Sequence, residues 1–169
     1  MLEAERIALV GFMGSGKSTI GRLLAKQLGY RIVDTDTLIE KEAGKSITRV
    51  FQCEGEKSFR IRESRILLNL AQYRQVVIAT GGGVPIRHQN REFLRKHCRT
   101  FYLEVNAVEV INRLHRSRVR PLLPDTERGI ERLLLVRRNW YEQLGDKVVT
   151  VGRNPSQIVS QICRAIEKG

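Results

Sequence analysis

The sequence predicts a three-layer α/β fold, a five-stranded parallel sheet with helices on both faces, built as one domain. Three observations carry this. An apolar run, Ile7-Ala8-Leu9-Val10, leads into Gly11-Phe12-Met13-Gly14-Ser15-Gly16-Lys17-Ser18 and then into a helical pattern. Strand-like and helix-like stretches then alternate to the end of the chain, the pattern of a parallel sheet covered on both faces. With 169 residues, 41% hydrophobic and 28% charged, the chain has the size and composition of one ordinary globular domain.

The elements follow in order. After the strand at 7–10, apolar Ile20, Leu23, Leu24 and Leu28 mark a helix. Arg31-Ile32-Val33-Asp34 reads as a short strand with Asp34 at its carboxyl end, where open α/β sheets gather ligand groups. Thr37–Ala43 reads as a short helix closed by Gly44, with Asp36 as a favourable N-cap. Ser46 caps another helix through Phe51, and Glu56–Tyr73 forms a longer one with apolar Phe59, Ile66, Leu67 and Leu70. Val76-Val77-Ile78-Ala79 is a third strand and runs into Thr80-Gly81-Gly82-Gly83. A helix over 91–97, a strand over 100–105 and a helix over 108–114 come next. A basic stretch, Arg113 to Arg120, then meets Pro121-Leu122-Leu123-Pro124, which a helix does not cross easily. A helix over 130–144, a strand over 147–151 and a helix from Pro155 to Glu167 close the chain, with proline at the last helix's first turn.

Gly11 to Ser18 matches G-x-x-x-x-G-K-[ST], the phosphate-binding P-loop. Glycines let the backbone curl so that successive N–H groups point at phosphate oxygens, and the helix N-terminus adds positive potential. Lys17 reaches the outer phosphates and the Ser18 hydroxyl reaches Mg²⁺. The third strand ends in Thr-Gly where a Walker-B aspartate would stand, which removes motor ATPases and most GTPases.

Four further groups point to chemistry. Asp34-Thr35-Asp36 offers one carboxylate to assist Mg²⁺ and another to orient or deprotonate an attacking hydroxyl; as an isolated motif it would read as a helix cap. Gly81-Gly82-Gly83 allows a close backbone approach to a ligand or a plain turn. Arg60 and Glu63 share a helix face at i, i+3, either as a surface pair or as a clamp on a substrate carboxylate. Arg113, Arg116, Arg118 and Arg120 form either a solvated basic loop or a lid that brings an arginine to the transferring phosphoryl group. One of Arg137 and Arg138 can face the same site while the other faces solvent.

Charge and composition exclude other classes. The net charge of +12 includes 22 arginines and suits either nucleic acid or a site for ATP and an acidic substrate. With 6% aromatics and no stacking pattern, nucleic acid is the weaker reading. Cys53, Cys98 and Cys163 are odd in number and far apart, which fits a reducing compartment and gives no zinc site. His88, His97 and His115 lack ligand spacing and read as surface residues. No 18-residue apolar run exists, and the acidic first five residues differ from a signal peptide's basic start.

The whole chain resembles the shikimate kinase family. The resemblance rests on Gly11-x4-Gly16-Lys17-Ser18-Thr19-Ile20-Gly21, Asp34-Thr35-Asp36, Phe51-x3-Gly55-Glu56-x2-Phe59-Arg60-x2-Glu63, Gly81-Gly82-Gly83, Arg120-Pro121-Leu122-Leu123 and Arg137-x3-Tyr141. It implies a small P-loop kinase of one domain, with a substrate-binding segment over about 37–62 and a lid over about 114–126. The implied reaction is Mg²⁺- and ATP-dependent phosphorylation of the 3-hydroxyl of shikimate by a cytoplasmic monomer, with no nucleic-acid or membrane partner. By resemblance, Gly14, Ser15, Gly16, Lys17, Ser18 and Thr19 bind the ATP phosphates, and Ser18 and Asp34 serve Mg²⁺. Asp36 holds the substrate hydroxyls and helps activate the 3-hydroxyl. Arg60, Gly82 and Arg137 bind shikimate. Arg120 is the lid arginine at the phosphates, acting in catalysis with Lys17 and Asp36, and Arg113 and Arg153 lie near the adenine. The family often has Arg-x-Pro-Leu-Tyr where this chain has Arg137-Arg138-Asn139-Trp140-Tyr141; counting back from the tyrosine selects Arg137.

Overall fold

The computed structural model describes residues 6–114 and 126–168. The expected lid, with Arg116, Arg118, Arg120 and the Pro-Leu-Leu-Pro turn, lies outside the described residues apart from its first and last positions, as does His115.

Five parallel strands form one sheet in the order β2-β3-β1-β4-β5. They are β1 (Arg6–Val10), β2 (Arg31–Asp34), β3 (Val76–Ala79), β4 (Arg99–Glu104) and β5 (Asp146–Val149). β1 sits at the centre, with Leu9 level with Ala79 on one side and with Phe101 on the other. Chain order reverses there, so the loops leaving β1, β2 and β3 open onto one edge, the usual place for a ligand crevice.

Side-chain alternation divides the core in two. Ile7, Leu9, Val77, Phe101, Leu103 and Val148 meet Ile20, Leu24 and Ala25 of α1 (Lys17–Leu28) and Ile158, Val159 and Ile162 of α7 (Pro155–Lys168). Ala8, Val10, Val76, Ile78 and Tyr102 meet the opposite layer. That layer comprises α3 (Ile47–Asn69), α4 (His88–His97), α5 (Ala107–Leu114) and α6 (Glu127–Glu142). Leu23, read as part of the apolar stripe of α1, is instead 40% exposed, because Gly21 and Ala25 complete the buried face. A Cβ at Gly21 would come within 2.9 Å of Ile32 Cδ1, so glycine there lets α1 lie close on the sheet.

α2 spans Thr35–Ala43 and begins two residues before the sequence expectation. Its cap is Asp34, not Asp36: Asp34 Oδ1 accepts from the N–H of Asp36 at 3.0 Å and of Thr37 at 3.3 Å. The expected helices around Ser46 and Glu56 are two halves of α3, kinked at Gly55 with φ 77° and ψ 168°. Ser46 caps the first half by accepting from Arg49 N–H. Ion pairs brace the kink: Arg62, beyond it, reaches Glu54 before it at 2.9 Å and Glu42 of α2 at 2.6 Å, and Glu54 also holds Lys45 at 3.0 Å. A separate cluster of Ile39, Val50, Phe59 and Ile66 binds α2 to both halves.

α6 begins at Glu127, three residues early, because Thr126 accepts from Gly129 N–H as its cap. His88 and His97 are exposed, and the three cysteines are unbridged. No helix among the described residues is long and apolar enough to cross a membrane.

Candidate active site

A cavity of about 700 Å³ lies over the carboxyl edge of the sheet. It is lined by every described residue that the sequence nominated: Gly14, Ser15, Gly16, Lys17, Ser18, Thr19, Asp34, Asp36, Arg60, Gly82, Arg113, Arg137 and Arg153.

The P-loop forms its floor. Gly16 precedes α1 with φ 94°, a left-handed conformation that glycine adopts at little cost. Lys17 folds over the loop and donates to Gly11 O and Phe12 O, both at 2.8 Å, and to Ser15 Oγ at 3.3 Å. Ser18 Oγ donates to Asp34 Oδ2 at 2.5 Å. Asp34 therefore does two jobs, capping α2 with one oxygen and holding Ser18 with the other. A hydroxyl beside a carboxylate is a hard oxygen donor set. The described residues contain no cluster of three or more His, Cys, Asp or Glu that could hold a metal ion. So sparse a protein contribution fits Mg²⁺, which keeps most of its shell as water and substrate phosphate.

The triple glycine stands between the P-loop and the carboxylates. Thr80 Oγ1 donates to Leu9 O at 2.9 Å, and Gly81 N–H donates to Thr35 Oγ1 at 2.8 Å. A Cβ on Gly81 would sit 2.6 Å from Asp36 Oδ1 and 3.1 Å from Glu63 Oε1. One on Gly82 would sit 3.2 Å from Met13 N of the P-loop. One on Gly83 would overlap the Arg60 guanidinium. The three glycines thus bring three parts of the protein into contact, which a plain turn would not require.

Arg60 and Glu63 are buried together, not paired on the surface. Arg60 NH1 donates to both carboxylate oxygens, at 3.0 and 2.9 Å, and its Nε and NH2 reach Glu56 at a longer 3.4 Å. Phe59 lies under the guanidinium at 5.1 Å and packs against Phe51 with ring centroids 4.3 Å apart and planes tilted by 33°. Arg137 is buried above the Phe12 ring at 5.8 Å. Arg138 faces outward and pairs with Glu142 at 2.8 Å and Glu104 at 3.6 Å. The choice between the two arginines is thereby made: Arg137 lines the cavity. Arg113 donates to Gly14 O at 2.7 Å and to Glu109 at 2.9 Å. Arg153, in the turn before α7, donates to Gln161.

Glu63, read from sequence with Arg60 as a surface pair or a clamp, is buried in the cavity wall. Sequence reasoning gave no role at the site to three further contributors. Phe51 lines the cavity. Thr35 and Tyr141 hold the glycine run through bonds to residues 46 and 59 positions away, which no local pattern reveals.

Burial pushes Glu63 up from its ordinary 4.5 to about 7; Arg60 opposes the rise, Asp36 adds to it and Arg137 opposes it. Because the folded value is the higher one, Glu63 favours the folded state fully below about pH 4.5. That contribution disappears as pH rises through 7, a change on the order of 3 kcal/mol. We expect Glu63→Gln to lose this slope: melting curves from pH 5 to 8 should fall less for the variant than for the parent. Parallel curves would show that Glu63 titrates no differently folded and unfolded.

The shikimate kinase family model matches residues 13–167. The chain belongs to the shikimate kinase family. A shikimate kinase of Haemophilus influenzae is 40% identical over 171 residues, covering 99% of this chain and 95% of that protein. A shikimate kinase from Acinetobacter baumannii, solved in complex with shikimate, has 34% identity and a TM-score of 0.91, covering 98% of this chain and 94% of that one. A gluconokinase from Sinorhizobium meliloti, at 18% identity and a TM-score of 0.63, shares the fold alone. Membership makes this chain a kinase that uses ATP with Mg²⁺. The five-stranded parallel sheet and the P-loop expected from sequence are those of this family.

Proposed function

We propose that this chain transfers the γ-phosphoryl group of ATP to the 3-hydroxyl of shikimate, as one catalytic domain with a substrate-binding segment over about 37–62 and a lid over about 114–126. The observation that carries the reading is the burial of two arginines, Arg60 and Arg137, in one cavity with Asp36, the triple glycine and the P-loop. Two buried guanidiniums suit a planar carboxylate, and Asp36 beside Gly81 suits neighbouring hydroxyls.

In this reading the backbone from Gly14 to Thr19 receives the phosphates, and Lys17 leaves its loop carbonyls to meet the outer ones. Ser18 and Asp34 would hold Mg²⁺, which would supply positive charge to the ATP phosphates. Asp36 orients the 3-hydroxyl and takes its proton at a carboxylate oxygen as the oxygen meets phosphorus. Arg60, Arg137 and Gly82 fix the acceptor, so positioning supplies much of the rate. Arg113 and Arg153 border the adenine. Arg120 meets the transferring group from the lid and supplies positive charge there.

The assay is ADP release from MgATP with shikimate, quinate or gluconate. Release that depends on shikimate is expected. Release with gluconate instead would retain the kinase and discard the acceptor. The unbridged cysteines are in keeping with a cytoplasmic setting, and the reading takes the chain as a monomer acting on a small molecule.

A further inference from the structure

Tyr141 is fully buried, and its hydroxyl lies 2.5 Å from Gly82 O, to which it donates. It follows Arg137 by four residues on α6, so the two share one helix face. The ring stacks on Tyr102 of β4, with centroids 5.2 Å apart and planes 25° apart, which prevents it from swinging. Gly82 in turn packs against the P-loop at Met13 N. One hydroxyl thus joins the helix that carries Arg137 to the glycine run and, through it, to the phosphate loop.

We propose that Tyr141 is a positioning residue for the acceptor: its phenol ties the turn of α6 that carries Arg137 to the Gly82 peptide and so fixes the spacing between them. The proposal rests on the reading of Arg137 as a carboxylate contact. The hydroxyl donates to Gly82 O across the 59 residues that separate the two in sequence. Phenylalanine would fill the same volume while leaving the Gly82 carbonyl without its donor and α6 without its bond to the glycine run.

The test compares Tyr141→Phe with Tyr102→Phe in the full chain. Tyr102 is the control: it belongs to the same stack, but its hydroxyl is influenced by Glu104, Arg138 and Glu142 instead. Tyr141→Phe should raise KM for shikimate about tenfold, with kcat and KM for MgATP changed less than about twofold. Tyr102→Phe should move none of these. Shikimate methyl ester, which lacks the carboxylate, should show the same KM with Tyr141→Phe as with the parent. The double variant Arg137→Ala/Tyr141→Phe should show no higher KM for shikimate than Arg137→Ala alone, and melting curves report folding in every case. An equal rise in KM for shikimate, ester and MgATP, or no change in KM for shikimate, would overturn the proposal. A parent that handles ester and acid alike would overturn the Arg137 reading and this proposal with it.

Discussion

Asp36→Asn is expected to reduce turnover by about 10²- to 10⁴-fold while MgATP still binds. Asparagine keeps the shape of the side chain but cannot accept a hydroxyl proton. The fold should survive because the cap of α2 is Asp34, which still receives the N–H of residues 36 and 37. The nucleotide side should survive too, since it is Asp34 that receives Ser18. Single-turnover rates and calorimetric binding of MgATP check the two halves separately. Turnover equal to the parent's would remove Asp36 from the proton's path.

The second large effect is expected from Arg60→Ala. KM for shikimate should rise roughly 10- to 100-fold, the loss of charge-assisted bonds to a carboxylate, while KM for MgATP stays near the parent's. The change also strips Glu63 of the charge that opposes its desolvation, so its carboxyl should be pushed up further. A neutral Glu63 limits the damage to folding, since an uncompensated buried carboxylate would cost several kcal/mol. Arg137→Ala should behave like Arg60→Ala. Arg138→Ala should change little, because its ion pairs are exposed and worth at most about 1 kcal/mol each. Equal rises in KM for both substrates with Arg60→Ala would contradict a clamp on the acceptor.

Much of this arrangement was legible because its signals are local. β2 and β3 run over Arg31–Asp34 and Val76–Ala79 as read from sequence, each bounded by a change from apolar to polar or glycine residues. The P-loop carries its spacing in eight consecutive residues. Errors arose where two local rules competed. Asp34 and Asp36 both suit a cap, and only the turn out of β2 selects Asp34. Helix periodicity placed Leu23 on the apolar stripe, yet the tight approach of Gly21 to Ile32 rotates α1 so that Leu23 faces out. Arg60 and Glu63 have the spacing of an ordinary surface pair, and their burial follows from Gly83, twenty residues on, lying beneath the guanidinium. The bonds from Thr35 to Gly81 and from Tyr141 to Gly82 join elements that meet only in three dimensions, so no window of sequence contains them.

The kink at Gly55 has a consequence for how such a pocket changes. A Cβ at that position would meet nothing within 4 Å, so the glycine is there for its backbone angle and not for space. Ile47, Thr48 and Phe51, which shape one wall of the cavity, lie before the kink; Arg60 and Glu63 lie after it. Under the proposed function, the outline of the acceptor pocket and the grip on the acceptor's charge therefore belong to separately adjustable modules of one helix. Substitutions over 47–51 can recontour the pocket for a bulkier or smaller ring, while Arg60, the proposed carboxylate contact, keeps its place.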